Sequence, residues 1–291
     1  MNKILIKLLL DESALLKRFK DIKLVVSDVD GTLLNNENEL SPATAEIIRK
    51  LKSKGILFTL ATQRVYSSLE KIISDLDINI PVISLNGAFV SSVNGDILNR
   101  SLIKPYQVRK ALMLADKSFV RVALCSDNVI VYTENNSFMR DFIQRVGTTY
   151  TLVDSYDPYI DKTLEIILMG NEKVEVKKIS KKMKFPYTLG LKVKYFRAYS
   201  DRGIYNLEIL KKGINKKTGL KHLVKHLGIK KSQVMVMGDW YNDKDLFEFG
   251  GLNIALKNAV ASLKEKANFI TERTNDEEGV AHFLQNFHEN I

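Results

Sequence analysis

Three nearly continuous apolar runs in this chain each stop at an oxygen-bearing side chain. Lys23-Leu24-Val25-Val26-Ser27 runs into Asp28, Ile56-Leu57-Phe58-Thr59-Leu60-Ala61 into Thr62, and Val234-Met235-Val236-Met237-Gly238 into Asp239. Runs without polar alternation belong to strands buried on both faces, which is the condition of a parallel sheet covered by helices. The intervening segments supply those helices. Ser41 suits an N-cap, Pro42 a first helical position and Gly55 a stop, with Ile47, Ile48 and Leu51 as the apolar stripe between them. Further helices are expected over residues 67–76 and 218–227, with a short strand over residues 82–85. The expectation is an α/β fold with a Rossmann-like, doubly wound parallel sheet. Ligands of such sheets bind beyond the carboxyl ends of the strands, where Asp28, Thr62 and Asp239 stand.

The middle of the chain has a different pattern. Val122-Ala123-Leu124-Cys125 and Val129-Ile130-Val131-Tyr132 flank Ser126-Asp127-Asn128, as in a hairpin. Strands are expected at 164–169, 191–197 and 205–210, and helices at 108–117 and 174–183. Hairpins mixed with helices describe an α+β unit inserted into the parallel sheet. The expected division is an N-terminal extension over 1–20, a core over 21–85 and 214–291, and an insertion over 86–213.

A length of 291 residues suits two domains, and 45% apolar with 27% charged residues is an ordinary globular composition. The formal charge of +10 comes largely from dispersed lysines, with no clustered arm and no aromatic-interleaved patch, which speaks against a nucleic-acid partner. The single cysteine, Cys125, has no internal disulfide partner and fits a cytoplasmic location. At the N-terminus Lys7 interrupts the apolar run, acidic residues follow at once and no small-residue cleavage site appears, so an amphipathic helix on the core is expected rather than a signal peptide. No segment approaches the ~20 apolar residues of a membrane span. Oligomeric state is not encoded in any pattern.

Two acidic clusters carry the chemistry. In Asp28-Val29-Asp30-Gly31-Thr32-Leu33-Leu34 the two aspartates share a strand face, and Gly31 allows a sharp turn that presents an N–H to an anion. One carboxylate can attack phosphorus while the other handles the leaving-group proton, and their mutual repulsion calls for a cation such as Mg²⁺. An acidic turn would have the same composition. The second cluster, Gly238-Asp239-Trp240-Tyr241-Asn242-Asp243, gathers hard oxygen ligands after another buried strand, although Asn242 or Asp243 alone would also serve as a helix cap. Thr62 can donate to a phosphoryl oxygen, and Lys216 can neutralise developing charge. The four histidines, His222, His226, His282 and His288, fall on expected helices away from the strand ends. His222 and His226 have metal-ligand spacing but no HExxH pattern and no third ligand.

DVDGTL, the strand ending in Thr62, Lys216 in GINKKTGL and GDWYND, in this order, resemble the haloacid dehalogenase superfamily. Asn86-Gly87-Ala88, Leu207-Glu208-Ile209 and the stretch NDEEGVA over residues 275–281 resemble its Cof-type phosphatases of subfamily IIB, from about residue 23 to 284. The resemblance implies that Asp28 is the nucleophile and a Mg²⁺ ligand. Asp30 would act as acid and then base, with its backbone carbonyl on the metal. Thr62 and Lys216 would hold the phosphoryl group, with Gly31 and Asn242 beside them. Asp239 would bind the metal and Asp243 would help hold the metal site. The insertion would be a cap that closes over the site, and the substrate a small phosphorylated metabolite such as a sugar phosphate, cofactor phosphate or nucleotide.

Two positions depart from the family pattern. Gln63 replaces the glycine of Thr-Gly-Arg, leaving Thr62-Gln63-Arg64, and Trp240 replaces the glycine after the metal aspartate. Both add bulk that either narrows the substrate range or packs under the cap. Arg64, Asn86, Arg197 and Trp240 are candidates for substrate specificity, as are Tyr195, Tyr199 and Arg202. A phosphomutase or other phosphotransferase, a phosphonatase, a degenerate binding protein and a receiver-type phospho-switch are the alternatives. Receivers lack the second acid, Asp30, and the insertion.

Overall fold

The computed structural model describes residues 18–134, 150–197 and 203–291. In chain order its first elements are β1 (Leu24–Ser27), α1 (Pro42–Ser53), β2 (Leu57–Leu60), α2 (Glu70–Asp75), β3 (Val82–Ser84), β4 (Phe89–Ser91) and β5 (Ile97–Arg100). There follow α3 (Pro105–Lys117), β6 (Arg121–Cys125), β7 (Ile130–Tyr132), β8 (Tyr150–Leu152), β9 (Glu165–Gly170), α4 (Lys173–Lys182), β10 (Leu191–Arg197) and β11 (Tyr205–Lys211). The last are α5 (Lys216–Leu227), β12 (Val234–Gly238), α6 (Lys244–Phe249), β13 (Leu252–Ala255), α7 (Ala261–Lys264), β14 (Phe269–Ile270) and α8 (Gly279–Glu289). Contacts divide the chain into two compact units. One holds the residues up to Thr62, Ile72–Val82 and Leu220–Ile291, and the other Gln63–Lys71 and Ile83–Gly219.

The first unit is built on a parallel sheet of order β14-β13-β12-β1-β2. Every residue of β1, β12 and β13 is buried, as unbroken apolar runs require of strands covered on both faces. α1 starts as its sequence dictates: the Ser41 side chain accepts from the Thr44 N–H, and Pro42 fills the first turn. α8 turns Val280, Ala281, Leu284 and Phe287 inward and packs against α1. Of the expected N-terminal extension, residues 1–17 lie outside the described residues. Phe19 is buried against the rings of Phe269, Phe283 and Phe287, with centroids 5.6, 6.3 and 5.0 Å away. Among the described residues no helix is long and apolar enough to cross a membrane.

The second unit holds a six-stranded sheet of order β10-β11-β9-β6-β7-β8, antiparallel except for the β7–β8 pair, and a three-stranded sheet of order β3-β4-β5. One face of the larger sheet carries an apolar core. Leu124, Ile166, Leu168, Leu207 and Ile209 form a core with Val108 and Ala111 of α3 and Val176 and Ile179 of α4. The opposite face mixes Cys125, Ile167, Met169 and Leu210 with polar residues.

Glu165 stands on that second face, paired in register with Cys125 on β6 and Leu210 on β11. Burial pushes its carboxyl well above the ordinary value, and the nearby Glu208 raises it further against the opposing pull of Lys194 and Lys192. The same burial and the same two carboxylates push the Cys125 thiol up, so it stays protonated and unreactive. Glu165 therefore keeps its proton in the fold at pH values where the unfolded chain has lost it. Its contribution is whole below the unfolded value of 4.5 and is lost as pH rises through the folded value. Glu165→Gln, which removes that titration, should raise the melting temperature more at pH 8 than at pH 5, at about 2–4 °C per kcal/mol relieved. Melts at the two pH values check this, and an equal effect at both would contradict it.

Candidate active site

The register of the first sheet sets Ser27 opposite Met237, so Asp28 and Asp239 leave neighbouring parallel strands at the same edge. The Asp28 N–H donates to Met237 O at 3.0 Å, and on the other side the Ala61 N–H donates to Ser27 O at 2.9 Å. Thr62, fully buried, therefore follows β2 beside the exit of β1. After β12 a single tight turn over Tyr241–Asp243 reverses the chain. Asp243 is fully buried, and its Oδ2 accepts from the backbone N–H groups of Asp239 and Trp240 at 3.1 and 3.0 Å.

The result is a convergence of like charges. One carboxylate oxygen each from Asp28, Asp239 and Asp243 lies within 4.8 Å of the other two, and all three residues are buried. Two unit charges about 4 Å apart repel by ~4 kcal/mol at an effective dielectric near 20. Two backbone N–H groups relieve Asp243, and the Thr32 hydroxyl donates to Asp239 Oδ1 at 2.7 Å. The donor set is all oxygen and strongly anionic, which suits a hard divalent cation such as Mg²⁺, Mn²⁺ or Ca²⁺ and not a thiolate- or imidazole-seeking metal.

The loop after Asp28 is shaped for this crowding. Asp30 is extended (φ −79°, ψ 125°) and half-buried, Gly31 is left-handed (φ 73°), and the Leu34 N–H closes the turn on Val29 O at 3.0 Å. A Cβ on Gly31 would lie 2.5 Å from Asp239 Oδ2, so only a bare Cα admits that carboxylate. Gly238 plays the same part for Asp243, whose Cγ and Oδ2 would lie 2.7 Å from an added Cβ. The C-terminal segment braces the loop from outside. Asn258 Nδ2 donates to Gly31 O at 2.7 Å, Asn275 Nδ2 donates to Leu34 O at 3.0 Å, and the Asn275 N–H donates to Asn258 Oδ1 at 3.1 Å.

Asp28, Asp30, Gly31, Thr62, Asp239, Trp240, Asn242 and Asp243 thus all stand at one edge of the first unit's sheet. Asn242 is half-buried, and its buried Oδ1 finds no partner among the described residues. Trp240 is half-buried, with its ring edge-on to Tyr241 at 5.1 Å. Lys216, Arg64, Asn86 and Arg197 belong to the second unit. Lys216 opens α5 with only 1% of its surface exposed, a burial lysines tolerate only with an anionic partner. Arg64 is buried and its carbonyl accepts from the Leu85 N–H at 2.9 Å. Asn86 is buried in a left-handed conformation (φ 53°), directly after a left-handed Leu85 (φ 45°). Arg197 is exposed at the end of β10, and Gln63 is exposed as well. Tyr199 and Arg202 lie outside the described residues. The histidines are on α5 and α8. Sequence reasoning missed Thr32 and Asn258. Thr32 sat inside the DVDGTL stretch, whereas nothing around Asn258 marks it, because its partners are distant in sequence.

The sequence profile of haloacid dehalogenase-like hydrolases matches residues 25–284. The chain is 27% identical over 268 residues to the 5-amino-6-(5-phospho-D-ribitylamino)uracil phosphatase YitU of Bacillus subtilis, covering 91% of this chain and 97% of that protein. It is 26% identical over 282 residues to a putative phosphatase of Mycoplasma pneumoniae, covering 90% and 96%. The solved structure of TM0651 from Thermotoga maritima superposes with a TM-score of 0.80 at 25% identity, covering 91% of this chain and 97% of that one. A sugar phosphatase of subclass IIB superposes with a TM-score of 0.74 at 20% identity, covering 92% and 100%. The chain belongs to the haloacid dehalogenase-like hydrolase family.

Gly238→Ala should displace the Asp243 carboxylate while leaving every charged group in place. The expected outcome is a 10–100-fold loss of divalent-metal affinity, the usual effect of disturbing groups that orient a metal's ligands. Titration of Mn²⁺ followed by electron paramagnetic resonance measures it, with circular dichroism as the check on folding. Unchanged affinity would mean that Asp243 does not shape the metal site.

Proposed function

We propose that this chain is a Mg²⁺-dependent phosphatase that hydrolyses a small phosphorylated metabolite through an aspartyl-phosphate on Asp28, with residues 86–213 as its cap. The observation that carries the reading is the buried convergence of Asp28, Asp239 and Asp243 at the ends of adjacent parallel strands. Relatives named as phosphatases, among them one acting on a ribitylaminouracil phosphate, support the substrate class.

In this reading an Asp28 carboxylate oxygen attacks phosphorus, forming an O–P bond as the bond to the leaving oxygen breaks. The Asp30 carboxyl gives that oxygen its proton. Asp30, now a carboxylate, takes a proton from water, and the water oxygen attacks phosphorus as the Asp28 O–P bond breaks, releasing orthophosphate. Asp28, Asp239 and the Asp30 carbonyl would hold Mg²⁺, with Asp243 supporting, and the ion would supply neutralisation of charge at the phosphoryl oxygens. Thr62, Lys216, Asn242 and the Gly31 N–H donate to those oxygens, by correspondence with the family motifs. Arg64, Asn86, Arg197 and Trp240 are the candidates for substrate selection in the same reading.

The test is phosphate release from a panel of phosphate esters with Mg²⁺ or EDTA, in the wild type and in Asp28→Asn. Turnover should require Mg²⁺ and fall by more than about 10³-fold in the variant. Turnover that survives Asp28→Asn would remove Asp28 from the reaction, and turnover that persists in EDTA would remove the metal.

A further inference from the structure

Within the second unit, α3 and α4 run antiparallel on one face of the six-stranded sheet. Val108, Ala111 and Ala115 of α3 enter the same core as Val176 and Ile179 of α4. The opposite stripes of the two helices therefore turn away from the sheet together. On α3 that stripe is Tyr106, Lys110, Met113 and Lys117, and on α4 it is Val174, Lys178 and Lys181, all at helical spacing. Tyr106, Met113 and Val174 are exposed although apolar.

Both ends of the pair carry further apolar tips. The loop after α4 is fastened along α3: Lys110 Nζ donates to Tyr187 O at 2.7 Å and to Thr188 Oγ1 at 2.8 Å, and Gln107 Nε2 donates to Leu189 O at 2.6 Å. The loop's backbone is held inward while Phe185, Tyr187 and Leu189 project into solvent, Phe185 being 77% exposed. At the other end the Ser118 hydroxyl donates to Glu175 Oε2 at 3.0 Å, and next to it stands Phe119. Phe119 is 94% exposed and left-handed (φ 51°), directly after the α3 cap, where glycine is favoured. A bulky residue there carries backbone strain and buries almost nothing within this chain.

Positive charge gathers on the same layer. Residues 104–119 and 172–189 hold ten lysines and arginines against three acidic residues, which is most of the formal excess of +10. Along the sequence these lysines look dispersed; the helix pair brings them together. We propose that this outer layer, α3, α4 and the loop over residues 183–190, docks on the surface of an anionic phospholipid bilayer. About 15–20 Å of helix separates Phe119 from the Gln107 end where the loop is fastened. In a fluid layer each tip finds its own apolar surroundings while the lysines meet headgroup phosphates. A rigid partner would need a separate pocket for each tip, and a second copy of this face would set like charges against each other. Contact of this kind lies on the bilayer and needs no spanning segment.

The test is co-sedimentation of the whole chain with vesicles of phosphatidylglycerol and phosphatidylcholine in equal parts, and with vesicles of phosphatidylcholine alone. Wild type should sediment with the first and not with the second. Raising salt from about 0.1 M to about 0.5 M should weaken binding at least tenfold, as the lysines are screened. Phe119→Gly combined with Phe185→Ser removes two tips, and Lys181→Glu combined with Lys184→Glu reverses two charges. None of the four side chains is buried, so circular dichroism should be unchanged. Each double variant should bind the mixed vesicles at least about tenfold more weakly. Wild type that sediments with neither vesicle, or equally with both, would overturn the proposal. So would an aromatic double variant that binds like wild type, since charge alone would then be gripping any polyanion, a nucleic acid included. A dimer seen by analytical ultracentrifugation without vesicles, and lost in the aromatic variant, would assign the face to a second copy instead.

Discussion

Three carboxylates buried within 4.8 Å of one another are the constraint around which the first unit is arranged. Burial strengthens their repulsion, so the fold must bring in positive potential from close range. It does so first with its own backbone and a hydroxyl: the N–H groups of Asp239 and Trp240 point at Asp243, and Thr32 points at Asp239. The parallel sheet is what makes the convergence possible. Strands running side by side in the same direction deliver their last residues to one edge, and the β1–β12 register leaves Asp28 and Asp239 as neighbours. The remaining repulsion is the physical reason for expecting a divalent cation there.

Space is as tightly allocated as charge. Gly31 and Gly238 each stand where a methyl group would collide with one of these carboxylates. The glycines and the aspartates are therefore one arrangement, in which the bare backbone of one strand end makes room for the side chain of the next. Asn258 and Asn275 hold the loop carbonyls from outside, so the loop's shape is fixed on both sides.

Much of this was legible in the sequence, for identifiable reasons. Apolar runs such as 24–27 and 234–238 lack the alternation of a half-exposed strand, and that alone implied a parallel, covered sheet. Ser41, Pro42 and Gly55 marked α1 because capping chemistry is local. The acidic clusters were legible because each lies within a few residues of a strand end. The β4–β5 hairpin was missed: β4 is three residues long and β5 is largely exposed, so neither carries a strong pattern. Thr32 and Asn258 were missed as positioning residues because their partners lie 207 and 227 residues away.

The protonated, fully buried thiol of Cys125 makes the second unit report on its own integrity. As the chain's sole cysteine it is a single label site, and a thiol reagent reaches it only when the apolar packing over that face of the sheet opens. The pace of modification under native conditions is then a measure of how often that packing opens, separate from the melting of the whole molecule. The protein thus carries an intrinsic gauge of its sub-global breathing, and no engineered probe is required to read it.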